Sequence, residues 1–199
     1  MSGELVDHRE RSLTGARVEL APLRLLHVPA LAAVGLDARV WRYMTREVHD
    51  EEQLAVYVQE AIQWRDEGTA LPFATVDRDS GKVIGTTRFA DVSMAHLRAE
   101  IGWTWLAPDY WRTGRNLEAK LLMLTFGFEE LGLRRIEFKT DAENERSRTA
   151  ILGLGASFEG IFRKHMVRPD GGVRNTAYYS ITDNEWPRVQ EALTARIRP

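Results

Sequence analysis

The chain has 199 residues, 44% of them apolar and 28% charged, with 27 Lys and Arg against 29 Asp and Glu and no cysteine. That length fits one domain with a substantial core, and the balanced charge argues against a protein that holds nucleic acid by neutralising phosphates. Without cysteine there is no disulfide scaffold, thiolate metal site or cysteine nucleophile, so any thiol chemistry must use a thiol brought by a ligand.

The first eleven residues mix both charge signs and lack the apolar run of about 7 to 15 residues that a signal peptide needs. They are read as a flexible segment, 1–11, ahead of a single domain over 12–199. No window approaches the roughly 18 unbroken apolar residues of a membrane helix, so a cytoplasmic protein without a membrane partner is expected. The histidines, at 8, 27, 49, 96 and 165, form no ligand pair, and no metal is expected.

Residues 13–22 alternate through Val18, Leu20 and Pro22 after a Thr14-Gly15 turn, as a first strand does, and Leu23 to Val34 carries apolar residues at helical spacing. A second helix is read from Asp50 to Asp66. There Leu54, Tyr57, Val58, Ala61 and Ile62 follow the 3.6-residue period, Asp50-Glu51-Glu52 complements the N-terminal dipole, and Gly68 ends the run. The period then falls to two. Residues 71–77 and 83–90 read as a hairpin around Asp77 to Gly81. A third strand over 99–106 puts Ile101, Trp103 and Trp105 on one face and Glu100, Gly102 and Thr104 on the other.

Leu117 to Leu131 reads as a helix that is apolar on most sides, with Glu118, Thr125 and Glu129 as its polar stripe and Gly132 at the C-cap. With a strand over 135–140 it makes a right-handed βαβ crossover and a parallel pair. A short helix from Glu145 to Leu154, strands over 158–167 and 175–182 around Pro169 to Gly172, and a last helix from Asn184 complete the chain. The expected class is α/β of the α+β kind: a mixed, mostly antiparallel sheet with one parallel step and flanking helices.

Between the third strand and the crossover helix stands Pro108-Asp109-Tyr110-Trp111-Arg112-Thr113-Gly114-Arg115-Asn116-Leu117. A glycine-containing loop with two arginines before a helix N-terminus suits an anion, because free N–H groups and the dipole point at it. By itself the loop is equally a tight turn with solvated arginines, and neither a Walker nor a Rossmann fingerprint is present.

Together with Glu100 to Leu106 before it, with Asp141-Ala142-Glu143-Asn144-Glu145-Arg146-Ser147-Arg148, and with Leu154-Gly155-Ala156 to Glu159-Gly160, this segment resembles the GCN5-related N-acetyltransferase (GNAT) superfamily. The match is with its RimJ/RimL-type branch and covers roughly residues 12–190. The resemblance implies acetyl-CoA as donor and an amine acceptor. The pantetheine would lie between the splayed strands, bonding backbone near Trp105 and Leu106. The pyrophosphate would rest on Trp111, Arg112, Thr113, Gly114, Arg115, Asn116 and Leu117, with Asn144 beside the pantetheine.

Two residues depart from the family pattern. Asn116 replaces a smaller residue, as a helix cap or a phosphate ligand. Ile151 stands where many members carry the tyrosine that protonates the departing thiolate, so Ser147 is the candidate for that role; the competing reading is a helix-start serine bonded to its own backbone. Glu100 is the candidate base, provided that partial burial raises its pKa, against the alternative of a salt-bridged strand-end glutamate. Trp41 and Tyr43, between the first two helices, and Arg88 on the strand 83–90 are candidate acceptor contacts, the remaining tryptophans being packing.

The function so implied is direct transfer of acetyl to a primary amine through a tetrahedral intermediate, most readily a protein or peptide N-terminal α-amine. An α-amine with pKa near about 8 is partly neutral at pH 7, whereas a lysine near about 10.4 is not. A small-molecule amine acceptor and a non-catalytic CoA-binding module are the alternatives. A monomer or homodimer, with no nucleic-acid partner, is expected.

Overall fold

The computed structural model describes residues 8–197. Eight strands form one sheet: β1 Leu13–Thr14, β2 Val18–Pro22, β3 Leu71–Asp77, β4 Lys82–Ser93, β5 Arg98–Leu106, β6 Arg135–Asp141, β7 Ser157–Val167 and β8 Val173–Thr182. Their order is β1-β2-β3-β4-β5-β6-β8-β7, and every pairing is antiparallel except β5 with β6. The helices are α1 Val28–Gly35, α2 Ala38–Trp41, α3 Glu51–Asp66, α4 Arg115–Thr125, α5 Glu145–Leu152 and α6 Trp186–Ile197. The expected α+β architecture with a single parallel step is the observed one.

Each face of the sheet covers its own core. On one side α4 and α6 pack Met123, Leu124, Val189 and Leu193 against Phe89, Ile101, Ile136 and Ile181; on the other α1 to α3 pack Leu31, Trp41, Leu54 and Val58 against Ala74 and Trp105. The α3 boundary follows from its cap, since the Asp50 carboxylate accepts from the N–H of Gln53 at 2.7 Å. Leu25 to His27 is a 3-10 turn rather than α-helix, because Pro29 at the second position of α1 sets where the α-helical turns begin. The crossover helix widens after Thr125 into a π turn over Phe126–Glu130, which buries Phe126, Gly127 and Phe128 against the sheet.

The strict alternation expected for β5 does not hold. Arg88 faces Gly102 and Thr86 faces Trp105, so Thr87 alone opposes both Trp103 and Thr104. This is a β-bulge, with Trp103 at φ 47°. The extra residue reverses the facing of everything after it. Ile101 lies in the α4 core while Trp103 and Trp105 lie against α1 to α3, on the same face as Glu100, and Thr104 turns toward α4.

Glu118 is a second departure. It is buried rather than part of a solvated stripe, and its carboxylate accepts from the N–H of Ala16 at 2.6 Å and of Arg17 at 3.1 Å, pinning the β1–β2 turn to α4. Glu118→Ala strands two backbone donors and is expected to cost about 2 to 3 kcal/mol, read as a lower urea midpoint at unchanged slope. Of the segment read as flexible, residues 1–7 lie outside the described residues. Arg9 donates to the Asp66 carbonyl at 2.8 Å and Arg11 pairs with Glu130 at 2.9 Å, so residues 8–11 are tied to the domain.

Candidate active site

β5 and β6 are paired only at Arg98–Arg135, Ala99–Ile136 and Glu100–Glu137, although β5 runs on to Leu106 and β6 to Asp141. Beyond Glu100 the two strands part, leaving the β6-facing edge of β5 without a ladder partner. A cleft of about 1220 Å³ opens there. Its walls include Gly102 to Leu106, Phe138 to Thr140, Asn116, Leu117 and Lys120 of α4, and Asn144, Ser147 and Ile151 of α5.

At the mouth, Gly114 (φ 85°) is the N-cap of α4 and no side chain caps the helix, so its first-turn N–H groups are free for an anion. Arg112, Gly114, Asn116 and Leu117 line the cleft. Asn116 sits in the first turn and is not the cap. Thr113 donates its hydroxyl to the Tyr110 carbonyl at 2.8 Å, bracing the loop from within.

Two expected phosphate and pantetheine contacts are otherwise engaged. Arg115 turns away from the cleft to the β3–β4 turn, where it pairs with Asp77 at 3.0 Å and Asp79 at 2.7 Å and has 13% side-chain exposure; its charge is spent on positioning the loop. The Leu106 carbonyl accepts the Trp111 indole N–H at 2.8 Å, so one of its two lone pairs is already engaged although the residue lines the cleft. Trp111 in turn carries the Arg146 guanidinium 3.7 Å from its ring centroid. Trp105 lends the cleft its strand while its indole is buried 5.7 Å from that of Trp41.

Asn144 accepts the Ser147 N–H at 3.1 Å and is thereby the N-cap of α5; both residues line the cleft, and the Ser147 hydroxyl has no bond among the described residues. Across the gap, Glu100 is 5% exposed and pairs with Lys139 of β6 at 2.8 Å, and Lys139 reaches Asp91 at 3.1 Å. Burial raises the Glu100 carboxyl above its ordinary value, and the ammonium of Lys139 offsets only part of the rise. Burial lowers the pKa of Lys139, but the two carboxylates outweigh it and hold the ammonium above the ordinary lysine value. Glu100 is thus both buried and salt-bridged, a combination of the two readings the residue invites.

Of the candidate acceptor contacts, Tyr43 lines the cleft, with Met44 and Thr45 beside it. Trp41 does not. It is a core residue that donates its indole N–H to the Gly35 carbonyl at 2.6 Å and meets Tyr57 edge to face. Arg88 is also internal, boxed by Tyr57, Trp64 and Trp103 with ring centroids 4.9, 5.4 and 5.3 Å from its guanidinium carbon, so it has no surface to offer an acceptor. Trp41 does lie between the first two expected helices and Arg88 on the expected strand 83–90, but burial assigns both side chains to packing.

Sequence reasoning missed Lys120 and Lys139. Lys120 is buried with its ammonium on the hydroxyls of Thr87, at 3.0 Å, and Thr104, at 2.6 Å. The available signal was a single lysine outside the polar stripe of Glu118, Thr125 and Glu129, directly before the apolar run Leu121 to Leu124. No comparable signal marks Lys139, whose partner Glu100 is 39 positions away and on another strand.

The family model for the acetyltransferase (GNAT) domain matches residues 17–157. The chain belongs to the GNAT family. This GNAT protein is 31% identical to an uncharacterized N-acetyltransferase, YoaA, of Bacillus subtilis, over 76% of the chain and 85% of the relative. It is 29% identical to the FsC-acetyl coenzyme A-N(2)-transacetylase of Aspergillus fumigatus, over 94% of the chain and 83% of that protein. Among solved structures, a GCN5-related N-acetyltransferase from Brucella melitensis superposes with TM-score 0.88 at 31% identity, covering 96% of this chain and 86% of that one. RimJ of Mycobacterium smegmatis in complex with CoA-disulfide superposes with TM-score 0.78 at 25% identity, covering 94% and 91%.

The GNAT protein is therefore an acetyl-CoA-dependent N-acetyltransferase, and its cleft fits that donor. The parted strands offer unpaired backbone to an amide-bearing arm, and the uncapped α4 N-terminus suits a pyrophosphate. Acetyl-CoA supplies the acetyl thioester and the thiol leaving group in a chain that has no cysteine of its own.

Proposed function

We propose that this acetyltransferase is of the RimJ/RimL type and acetylates the N-terminal α-amine of a protein or peptide, acting in the cytoplasm as a monomer or homodimer. The backbone of Trp105 and the side chain of Asn144 hold the pantetheine arm, and the loop from Trp111 to Leu117 holds the pyrophosphate. The acceptor enters past Tyr43, and its amine attacks the thioester carbon directly. Glu100 takes the proton that the amine loses, and Ser147 donates a hydrogen bond to the sulfur.

The observation that carries the acceptor assignment is the Asp91–Lys139–Glu100 relay at the cleft wall. A carboxylate tied to an ammonium is a modest base, enough for an α-amine that is already partly neutral and poorly suited to a lysine. The two carboxylates also place negative charge where an incoming α-ammonium would be drawn.

A second reading is a small-molecule amine, favoured by the named activity of the Aspergillus relative, which aligns with nearly the whole chain. The discriminating experiment supplies acetyl-CoA with three acceptor sets: peptides with free N-termini, the same peptides N-blocked but with an internal lysine, and small-molecule amines such as amino acids, polyamines and aminoglycosides. Mass spectrometry should place the acetyl group on free N-termini only. Turnover confined to the small amines would overturn the peptide reading.

A further inference from the structure

We infer that Lys120 is the group that gives its Nζ proton to the departing thiol sulfur, the role that Ile151 leaves vacant on α5. The inference rests on the direct-transfer reading above and extends it. Lys120 lies on the cleft-facing stripe of α4, four residues past Asn116 and three past Leu117, one turn deeper than the anion-binding end of the same helix. It is 5% exposed, and no carboxylate among the described residues pairs with it.

Its only hydrogen-bond partners among the described residues are neutral. Thr87 and Thr104 accept two of its three protons, and these hydroxyls lie 2.7 Å apart, so one donates to the other and both acceptor sites toward Nζ are fixed. The third N–H has no acceptor among the described residues, while the side chain belongs to the cleft wall. A buried ammonium without a counter-charge is costly, and a ligand that develops negative charge beside it lowers that cost.

The neighbours on every side leave the lysine in this condition. On its own helix Glu118 is turned away onto Ala16 and Arg17, and Arg115 is paired with Asp77. On β4 and β5 the facing groups are the two threonines. Across the cleft Glu100 is matched by Lys139, and Arg146, His165 and Tyr178 line other stretches of the wall. Burial alone lowers the Lys120 pKa, to about 7, which suits a group that must release and regain a proton at neutral pH.

The bulge in β5 creates the arrangement. By adding one residue before Thr104 it turns that hydroxyl toward α4, and a regular strand would have presented Trp103 to the lysine instead. Ser147 can hold the sulfur by a hydrogen bond, but its hydroxyl does not ionise near neutral pH, so a net proton must come from elsewhere. In the transfer, the acceptor nitrogen forms its bond to the acetyl carbon and loses a proton to Glu100. As the carbon–sulfur bond breaks, the electron pair stays on sulfur and the Nζ proton moves to it, leaving CoA thiol and a neutral Lys120. Solvent then reprotonates Lys120 and takes the proton from Glu100.

Lys120→Met tests this through a readout independent of turnover, the ionisation of CoA bound to the enzyme, followed by thiolate absorbance against pH. An ordinary thiol titrates near about 8.5. The bound thiol is expected to titrate at least about one pH unit lower in the wild type than in the variant, a tenfold difference in the ionisation constant. The variant's kcat should fall at least about tenfold and lose the alkaline limb that Lys120 imposes on the pH profile. Its thermal midpoint should be at or above that of the wild type, because the change removes an unpaired buried charge and leaves a threonine pair already bonded to itself. Equal thiol titration in the two proteins, with CoA bound to both, overturns the assignment of Lys120 alone. A wild type that binds no CoA overturns the assignment together with the donor site on which it rests, and a lowered midpoint with unchanged kcat makes Lys120 structural only.

Discussion

Glu100→Gln is expected to lower kcat/KM by about a hundredfold or more and to remove the Glu100 contribution from the acidic limb of its pH profile, leaving only the limb set by deprotonation of the acceptor amine. The base must be ionised to accept the acceptor's proton, and burial raises the Glu100 carboxyl above its ordinary value, so the wild-type rate should climb with pH above the usual carboxylate range. Glutamine keeps the volume and one oxygen for Lys139, which also retains Asp91, so the fold should survive the change. Thiol release measured from pH 5 to 9 at saturating acetyl-CoA decides the matter. If the variant keeps the wild-type profile, the proton goes elsewhere and Glu100 is a structural partner of Lys139.

The order of elements could be read from the sequence because its signals are local. The period change at Leu71, the cap at Asp50 and the βαβ spacing around α4 each depend on a few consecutive residues, and the structure places α3, β3 and β6 within a residue or so of the expected bounds. What stayed hidden depends on register between distant strands. The bulge at Trp103 and Thr104 exists because Thr87 of β4 opposes both, and nothing in Glu100 to Leu106 announces the extra residue. That one shift moved the tryptophans onto the face of Glu100 and brought Thr104 to Lys120.

The same limit explains the misassigned candidates. Arg115 carries the charge that an anion site calls for, yet Asp77 and Asp79 on another hairpin claim it, and only the folded pairing of β3 with β4 puts them within reach. Trp41 and Arg88 have side chains that often contact ligands, but Trp105 and Tyr57 enclose the first and three aromatic rings enclose the second. The loop residues Arg112, Gly114 and Asn116 line the cleft because a strand, a glycine and a helix start fix their position locally.

Lys139→Met tests the other half of the relay through its dependence on pH. In the wild type the lysine's folded pKa is raised, so its stabilising contribution is fully present below the unfolded value near about 10.4 and is lost only as pH rises through the folded value. Removing the ammonium leaves Glu100 buried with no opposite charge bonded to it, and breaking such a pair costs about 3 to 5 kcal/mol when the survivor stays ionised. Protonation limits that cost. With the partner gone, the folded carboxyl binds its proton more tightly than the unfolded one, so the folded state holds the extra proton between the two pKa values and stability falls as pH rises through that window. Urea midpoints should therefore nearly coincide with the wild type at the acidic end of the carboxylate range and diverge toward pH 8. The double change Glu100→Gln with Lys139→Met should recover most of the loss at pH 8, since no buried carboxylate then remains at position 100. A loss of equal size at every pH would show that the Lys139 stem, not its charge, supports the cleft.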